Sequence, residues 1–245
     1  MLKYEASSFQ ELYDIVCTIK KAYFRNDAEV WFRGQGCSHY GLEPSLFRVS
    51  NGIDREKEIY DTYVKFADRI ELAKSDEWLN LVNMQHHGIP TRLLDWTDNL
   101  GVALYFAVTS RDKDRPMSVF VMNPRELNVL SHVNDIPDFP NNPMGLSYIG
   151  NYVNRPPLQY PIAIKCNYVN ERIWAQRGMF TLHGGKKGTG IITAAELNEI
   201  NIYKIDILPD AVDSIINYFA VSGINHYTLF PDIQGIARYI NGLLF

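Results

Sequence analysis

Trp31-Phe32-Arg33-Gly34-Gln35-Gly36 and Met84-Gln85-His86-His87-Gly88-Ile89-Pro90-Thr91-Arg92-Leu93-Leu94-Asp95-Trp96-Thr97 are the stretches on which the fold turns. In the second, a helical run reaches Gly88, a residue suited to a helix C-terminus. Pro90 cannot continue a helix, so Ile89 to Asp95 should be extended. Thr97 is then placed to cap another helix, with Asp98 in its first turn. In the first stretch, Glu29 to Arg33 reads as a strand running into Gly34. Both stretches carry more polar groups, glycines and aromatics than a scaffold needs. An Arg between an aromatic pair and a Gly suits an anion held against exposed backbone.

The flanking sequence supplies the remaining elements. Leu12, Ile15, Val16, Ile19 and Tyr23 form a helical stripe from Ser8, a good cap, to Phe24. A long helix should run from Asp54 through Ile59, Tyr63, Phe66 and Ile70, and another from Asp76 through Leu81 and Met84. The helix after Thr97 carries Leu100, Ala103, Leu104, Ala107 and Val108, and its small residues would let it lie close to a sheet. Ser118–Met122, Ile162–Cys166, Gly178–His183, Asn201–Leu208 and Tyr227–Phe230 read as strands. Asn170 to Gln176 is a brief helix or turn, and helices should start at Pro209 and Asp232. Asn123 to Pro157, with Pro137, Pro140, Pro143, Pro156 and Pro157, reads as a long irregular cover over a functional site.

The pattern predicts an α+β fold: a single domain over 1–245, helices concentrated in 8–110 and strands in 117–230, around a mixed or antiparallel sheet. The elements do not alternate as a doubly wound parallel sheet requires.

With 245 residues and 46% hydrophobic content, the chain can bury a sizeable core. Its net charge of −4 argues against broad non-specific attraction to nucleic acid, although a local basic groove would suffice for a specific one. Cys17, Cys37 and Cys166 form no CxxC pair, which fits unpaired thiols in a reducing compartment. The N-terminus lacks the apolar run of a signal peptide, and no uninterrupted apolar stretch of about 18 residues appears. A cytoplasmic protein without a membrane partner is therefore expected.

Four groups of residues invite chemistry. Arg33 can grip a phosphate or carboxylate bidentately, or pair with a structural carboxylate; Gly34, beside it, would let a planar group lie against the backbone. His86 and His87 are adjacent and so diverge on a helix, a poor spacing for one metal, and no metal site is expected. Thr91, Arg92, Asp95, Trp96 and Thr97 form the densest cluster; Asp95 can fix Arg92 or Arg33, and Thr97 can serve as a cap. Gln176 precedes Gly178 and a strand, with Glu171 a short turn earlier. No GxSxG, P-loop or GxGxxG motif is present.

These residues resemble the FRG-domain family, named for its aromatic-Arg-Gly motif, here Phe32-Arg33-Gly34. The long signature matches Gln85 to Thr97 and continues through Ala103-Leu104-Tyr105-Phe106-Ala107. Later pieces match Arg172-Ile173, Gln176, Gly178 with Phe180-Thr181, and Leu229-Phe230-Pro231-Asp232 with Gly235. The order of motifs is also similar to that of the ADP-ribosyltransferase superfamily, which implies a split sheet and cleavage of the nicotinamide–ribose bond of NAD as substrate.

Under that resemblance Arg33 would hold the diphosphate or a ribose of NAD, and the Gly34 backbone the nicotinamide carboxamide. Thr97 would stand near the nicotinamide ribose. Gln176 would occupy the position of the usual catalytic Glu, with Glu171 or Asp95 supplying negative charge. Phe32, Gln35, His86, Thr91, Arg92 and Trp96 complete the expected NAD-binding set. The implied function is ADP-ribosyl transfer to a protein or nucleic-acid acceptor, as a toxin or phage-defence effector, with an antitoxin as an open question. Two other readings stand beside it. One is a nucleotide- or ligand-binding sensor without turnover; the other is a nuclease or hydrolase acting through Asp95, Glu171 and His86.

Overall fold

The computed structural model describes residues 4–25, 27–70, 72–112, 115–139, 147–153, 160–166, 171–184 and 201–244. Among them, β1 (Tyr4–Ala6), β2 (Trp31–Gln35), β3 (Leu93–Thr97), β4 (Met117–Met122), β5 (Asp138–Phe139), β6 (Ile162–Cys166), β7 (Gly178–Leu182) and β8 (Ile202–Ile207) build one open sheet. Its order is β1-β8-β4-β2-β3-β7-β6-β5. The edge pairs β1/β8 and β5/β6 are parallel and the inner pairs antiparallel, so the sheet is mixed as expected.

The sheet is continuous, yet it comes close to parting in the middle. Strand β2 pairs with β4 over five residues and β3 with β7 over five. Between β2 and β3 the register holds at one pair, Phe32 opposite Thr97. Beyond that point the two halves diverge, and the ladder groups they would have exchanged are left facing a gap.

Helices α1 (Phe9–Tyr23), α5 (Leu100–Thr109) and α8 (Val212–Ser222) cover the half that contains β2. Helices α3 (Glu56–Asp68) and α4 (Glu77–His86) cover the half that contains β3. Trp31, Leu94, Trp96, Phe120 and Met122 form a third cluster, which alternation places on the opposite face of the strands. Helix α5 is buried almost all round and lies directly on β2. That approach is possible because of two glycines: a Cβ on Gly34 would sit 1.8 Å from the Ala103 carbonyl oxygen, and one on Gly36 would sit 2.0 Å from that of Ser110.

Several expectations are met closely. Ser8 caps α1 by accepting from the Glu11 amide, Asp76 caps α4, and Gly88 follows α4 with φ +74°. Others need correction. Thr97 does not cap α5: it remains in β3, and the Asn99 side chain accepts from the Gly101 and Val102 amides. Tyr227–Phe230 is not a strand; α9 (His226–Leu229) forms there, started by a capping box between Asn225 and Thr228. Short-range capping outweighs the β preference of Tyr and Phe at that point.

The segment 123–157 is not irregular throughout. Asn123 caps α6 (Pro124–Leu130), with Pro124 in its first turn, and buried Asn128 exchanges hydrogen bonds with the Ala163 backbone. The short β5 and a π-helical turn at Ile149–Val153 follow, and residues 140–146 and 154–157 of the segment lie outside the described residues. The brief helix near Gln176 is α7 (Glu171–Ala175), and α2 (Ser45–Arg48) and α10 (Ile233–Leu244) complete the helices. Helices thus also occupy 212–244.

Candidate functional site

Where β2 and β3 part, a cleft of about 340 Å³ opens. Its floor is β2, β3 and the start of β7. One wall is α5, through Ala103, Phe106 and Ser110; the other is α4 and the α7 region, through Gln85, His86, Arg172 and Gln176. Phe32, Arg33, Gly34, Asp95, Trp96 and Thr97 also line it. Residues that are distant in sequence therefore meet at one break in the sheet.

Arg33 bridges the break. Its Nη1 donates to the main-chain carbonyl of Asp95 at 2.6 Å, replacing a ladder bond that the diverging strands cannot make. The same nitrogen lies 3.8 Å from the Asp95 carboxylate, and the Arg33 side chain is 19% exposed. Its Nε is buried with no hydrogen-bond partner among the described residues. Burial lowers the Arg33 pKa from its ordinary value, Asp95 opposes that shift, and Arg48 adds to it. A guanidinium remains cationic under such conditions, so Arg33 brings a positive charge to the lining of the cleft.

Asp95 is held from the other wall. Gln85 Nε2 donates to both carboxylate oxygens, at 3.0 and 3.1 Å, while Gln85 Oε1 accepts from the Thr91 hydroxyl at 2.6 Å. Thr91 is buried and acts one step removed, by fixing the orientation of the Gln85 amide. Among the residues lining the cleft, Asp95 is the single carboxylate.

Gln176 and Thr97 are linked directly. The Thr97 hydroxyl donates to the Gln176 carbonyl oxygen at 2.8 Å and accepts from the Asn99 amide. The Gln176 side-chain amide donates to the Leu229 carbonyl oxygen at 3.0 Å, so α9 helps set its position. His86 lines the cleft beside Gln85. Burial first, then Arg172 and His87, lower its pKa, which favours the neutral ring.

Other members of the expected set lie elsewhere. Arg92 is buried, bonds both carboxylate oxygens of Glu56, and donates to the His183 carbonyl oxygen; Tyr148 bonds the same Glu56 carboxylate. This ion pair ties α3 to β3. Gln35 is buried and donates to the Gly41 carbonyl oxygen at 3.1 Å. Glu171 is exposed at the start of α7 and does not line the cleft. Phe32 and Trp96 reach the cleft but belong to the core, with the Trp96 indole N–H donating to the Thr181 hydroxyl. The side-chain face of Gly34 is filled by α5, so helix packing requires this glycine whatever ligand the cleft takes.

Gln85 and Arg172 line the cleft although the sequence reading assigned them no role. A signal for Gln85 was available: Val82, Gln85 and His86 stand at i, i+3 and i+4 on one face of α4, and all three line the cleft. Arg172 was marked only as part of the Arg172-Ile173 match to the FRG-domain family, with no role attached. Among the described residues, no group of three or more His, Cys, Asp or Glu is arranged to hold a metal ion, and no helix is long and apolar enough to cross a membrane.

The family model of the FRG domain matches residues 28–115, so the chain carries an FRG domain there. That span runs from before β2 through α5 and supplies Arg33, Gln85, Asp95 and Thr97; Arg172 and Gln176 come from the chain beyond it. No curated protein and no solved structure matches the chain.

Proposed function

We propose that this protein is an NAD-consuming ADP-ribosyltransferase working in the cleft between β2 and β3. The observation that carries the reading is the convergence of Arg33, Asp95, Thr97 and Gln176 on one cleft. In this reading the Arg33 fork takes the diphosphate oxygens. The bond between the nicotinamide nitrogen and the ribose breaks, and nicotinamide leaves as a neutral ring with the bonding electron pair. The positive charge that develops on the ribose needs a fixed anion nearby. Gln176 is neutral and cannot supply it; Asp95, oriented by Gln85, can. An acceptor nucleophile then bonds to the ribose carbon and releases its proton. Positioning and electrostatics are enough for such a step.

Nicotinamide release from NAD by the purified chain tests the reading, beside Arg33→Ala and with protein and nucleic-acid acceptors supplied. Release that Arg33→Ala abolishes while the fold is retained supports the transferase. The neutral Gln176 favours one other reading, a nucleotide-binding sensor without turnover; NAD binding with no release under any acceptor condition would replace the transferase by that sensor. Action as a toxin or phage-defence effector in the cytoplasm belongs to the same proposal, and NAD depletion in cells expressing the protein checks it.

A further inference from the structure

Arg172 places a second guanidinium on the cleft. It is the second residue of α7, and its charged head lies over the Phe230 ring, 4.4 Å from the centroid. Phe230 stacks in turn on the His226 ring at 4.3 Å, and His226 shares a hydrogen bond with the Tyr105 hydroxyl at 2.9 Å. Arg172 therefore rests on an aromatic platform built from α9 and anchored to α5. Among the described residues no oxygen accepts a hydrogen bond from its guanidinium, although Asp232 and, less strongly, Asp95 attract it across space. A stacked guanidinium keeps its N–H edge available for a ligand.

The charges in the cleft do not cancel. Arg33 and Arg172 face it with one carboxylate, Asp95, which is 59% exposed. Asp232, outside the lining, attracts Arg172 more strongly than Asp95 does, while Arg238 and Arg48 add positive charge nearby, so it is the lining itself that carries the cationic excess.

From this placement we infer that Arg33 and Arg172 grip two adjacent anionic groups of one ligand, so that the cleft selects a diphosphate over a single phosphate. The inference deepens the reading given under Proposed function and shares its cleft, but it requires binding and not turnover. Arg33 presents its partly exposed side chain from the β2 side and Arg172 its stacked fork from the α7 side. A linked pair of phosphates satisfies both, whereas one phosphate leaves one guanidinium without an acceptor.

Calorimetric titration of the full chain with ADP-ribose, ADP, AMP and inorganic pyrophosphate tests this. ADP-ribose and AMP carry nearly the same charge at neutral pH, so a preference between them reports the number of phosphates gripped. ADP and ADP-ribose should bind at least about tenfold more tightly than AMP, and Arg172→Gln should weaken them about 10- to 100-fold while leaving AMP within about threefold. Arg172→Lys keeps the stacked cation but not the fork, and should still lose at least about fivefold for ADP-ribose; it carries the test should Arg172→Gln fail to fold.

Equal affinity for AMP and ADP-ribose, unchanged diphosphate affinity in both variants, or no binding of any of the four by the unmodified chain would overturn the inference. Diphosphate binding that depends on Arg172, without nicotinamide release from NAD, would uphold it while removing the transferase. Pyrophosphate binding as tight as that of ADP assigns recognition to the diphosphate itself; ADP binding much more tightly assigns it to a nucleoside diphosphate.

Discussion

Phe32 and Thr97 make the one backbone pairing between β2 and β3. One residue further along β2, the Arg33 side chain takes over from the backbone and donates to the Asp95 carbonyl. The fold and the cleft thus have a common origin. A sheet that parts after one pair exposes main-chain groups, and the guanidinium that satisfies one of them stands at the edge of the opening.

Gly34→Ala should destabilise the protein severely. The added methyl would lie 1.8 Å from the Ala103 carbonyl oxygen, and α5 would have to move off β2. A loss of about 3 kcal/mol or more is expected from such overpacking. Gly223→Ala is the control: Gly223 has φ +72° with nothing within 4 Å of the added carbon, so backbone strain alone should cost about 1 kcal/mol. Urea midpoints for both variants check the contrast.

Glu56→Gln should unfold the protein more readily without acting on the cleft directly. The change leaves the Arg92 guanidinium buried against a neutral amide. Breaking a buried pair by removing one charge costs about 3–5 kcal/mol. At a temperature where the variant is still folded, its affinity for ADP-ribose should match that of the unmodified chain. A large loss of affinity there would assign Arg92 to ligand binding after all.

Asp95→Asn should reduce nicotinamide release by about 10²- to 10³-fold under the proposed mechanism, the scale set by removing one preorganised electrostatic partner. Stability should change little, because the Asp95 side chain is more than half exposed. Gln176→Glu, by contrast, should raise the rate, since it adds a carboxylate beside the cleft. Initial rates at saturating NAD measure both. A rate for Asp95→Asn equal to that of the unmodified chain would remove Asp95 from the chemistry.

The protein should lose stability as pH falls below about 6.5, in part through His86. Burial, Arg172 and His87 depress its folded pKa, opposed by Asp232. In the window between the depressed folded value and the ordinary unfolded one, the unfolded state binds more protons, so stability falls with decreasing pH and levels off below the folded pKa. His86→Gln should flatten that part of the profile. Melting temperatures between pH 5 and 7.5 for the two proteins decide it; parallel profiles would assign the acid sensitivity to other groups.

Much of the local structure was legible because its causes are local. Ser8, Asp76 and Gly88 punctuate helices through bonds or dihedral preferences within a few residues of themselves. Where two local signals competed, the reading went astray. Thr97 and Asn99 both suit a cap, and strand pairing with Phe32 and Gly178 together with the bond to the Gln176 carbonyl keeps Thr97 in β3. The Tyr227–Phe230 stretch has strand-forming residues, but Asn225 and Thr228 close a capping box around it.

The site divides in the same way. The amino-acid sequence by itself determined the α+β composition, the positions of most helices, and the polar stretches from which the cleft is made. Only the tertiary structure decided that Arg33, Asp95, Thr97 and Gln176 share a cleft, and that Arg92 and Gln35 turn inward. It also decided that Gly34 answers to α5 and that Arg172 faces the same opening as Arg33. The physical reason is range. Caps, turns and hydrophobic periods act over a few residues, whereas the parting of β2 from β3 depends on strands and helices distributed along the whole chain. A polar side chain near that break becomes a site residue or a structural one according to which partners arrive there.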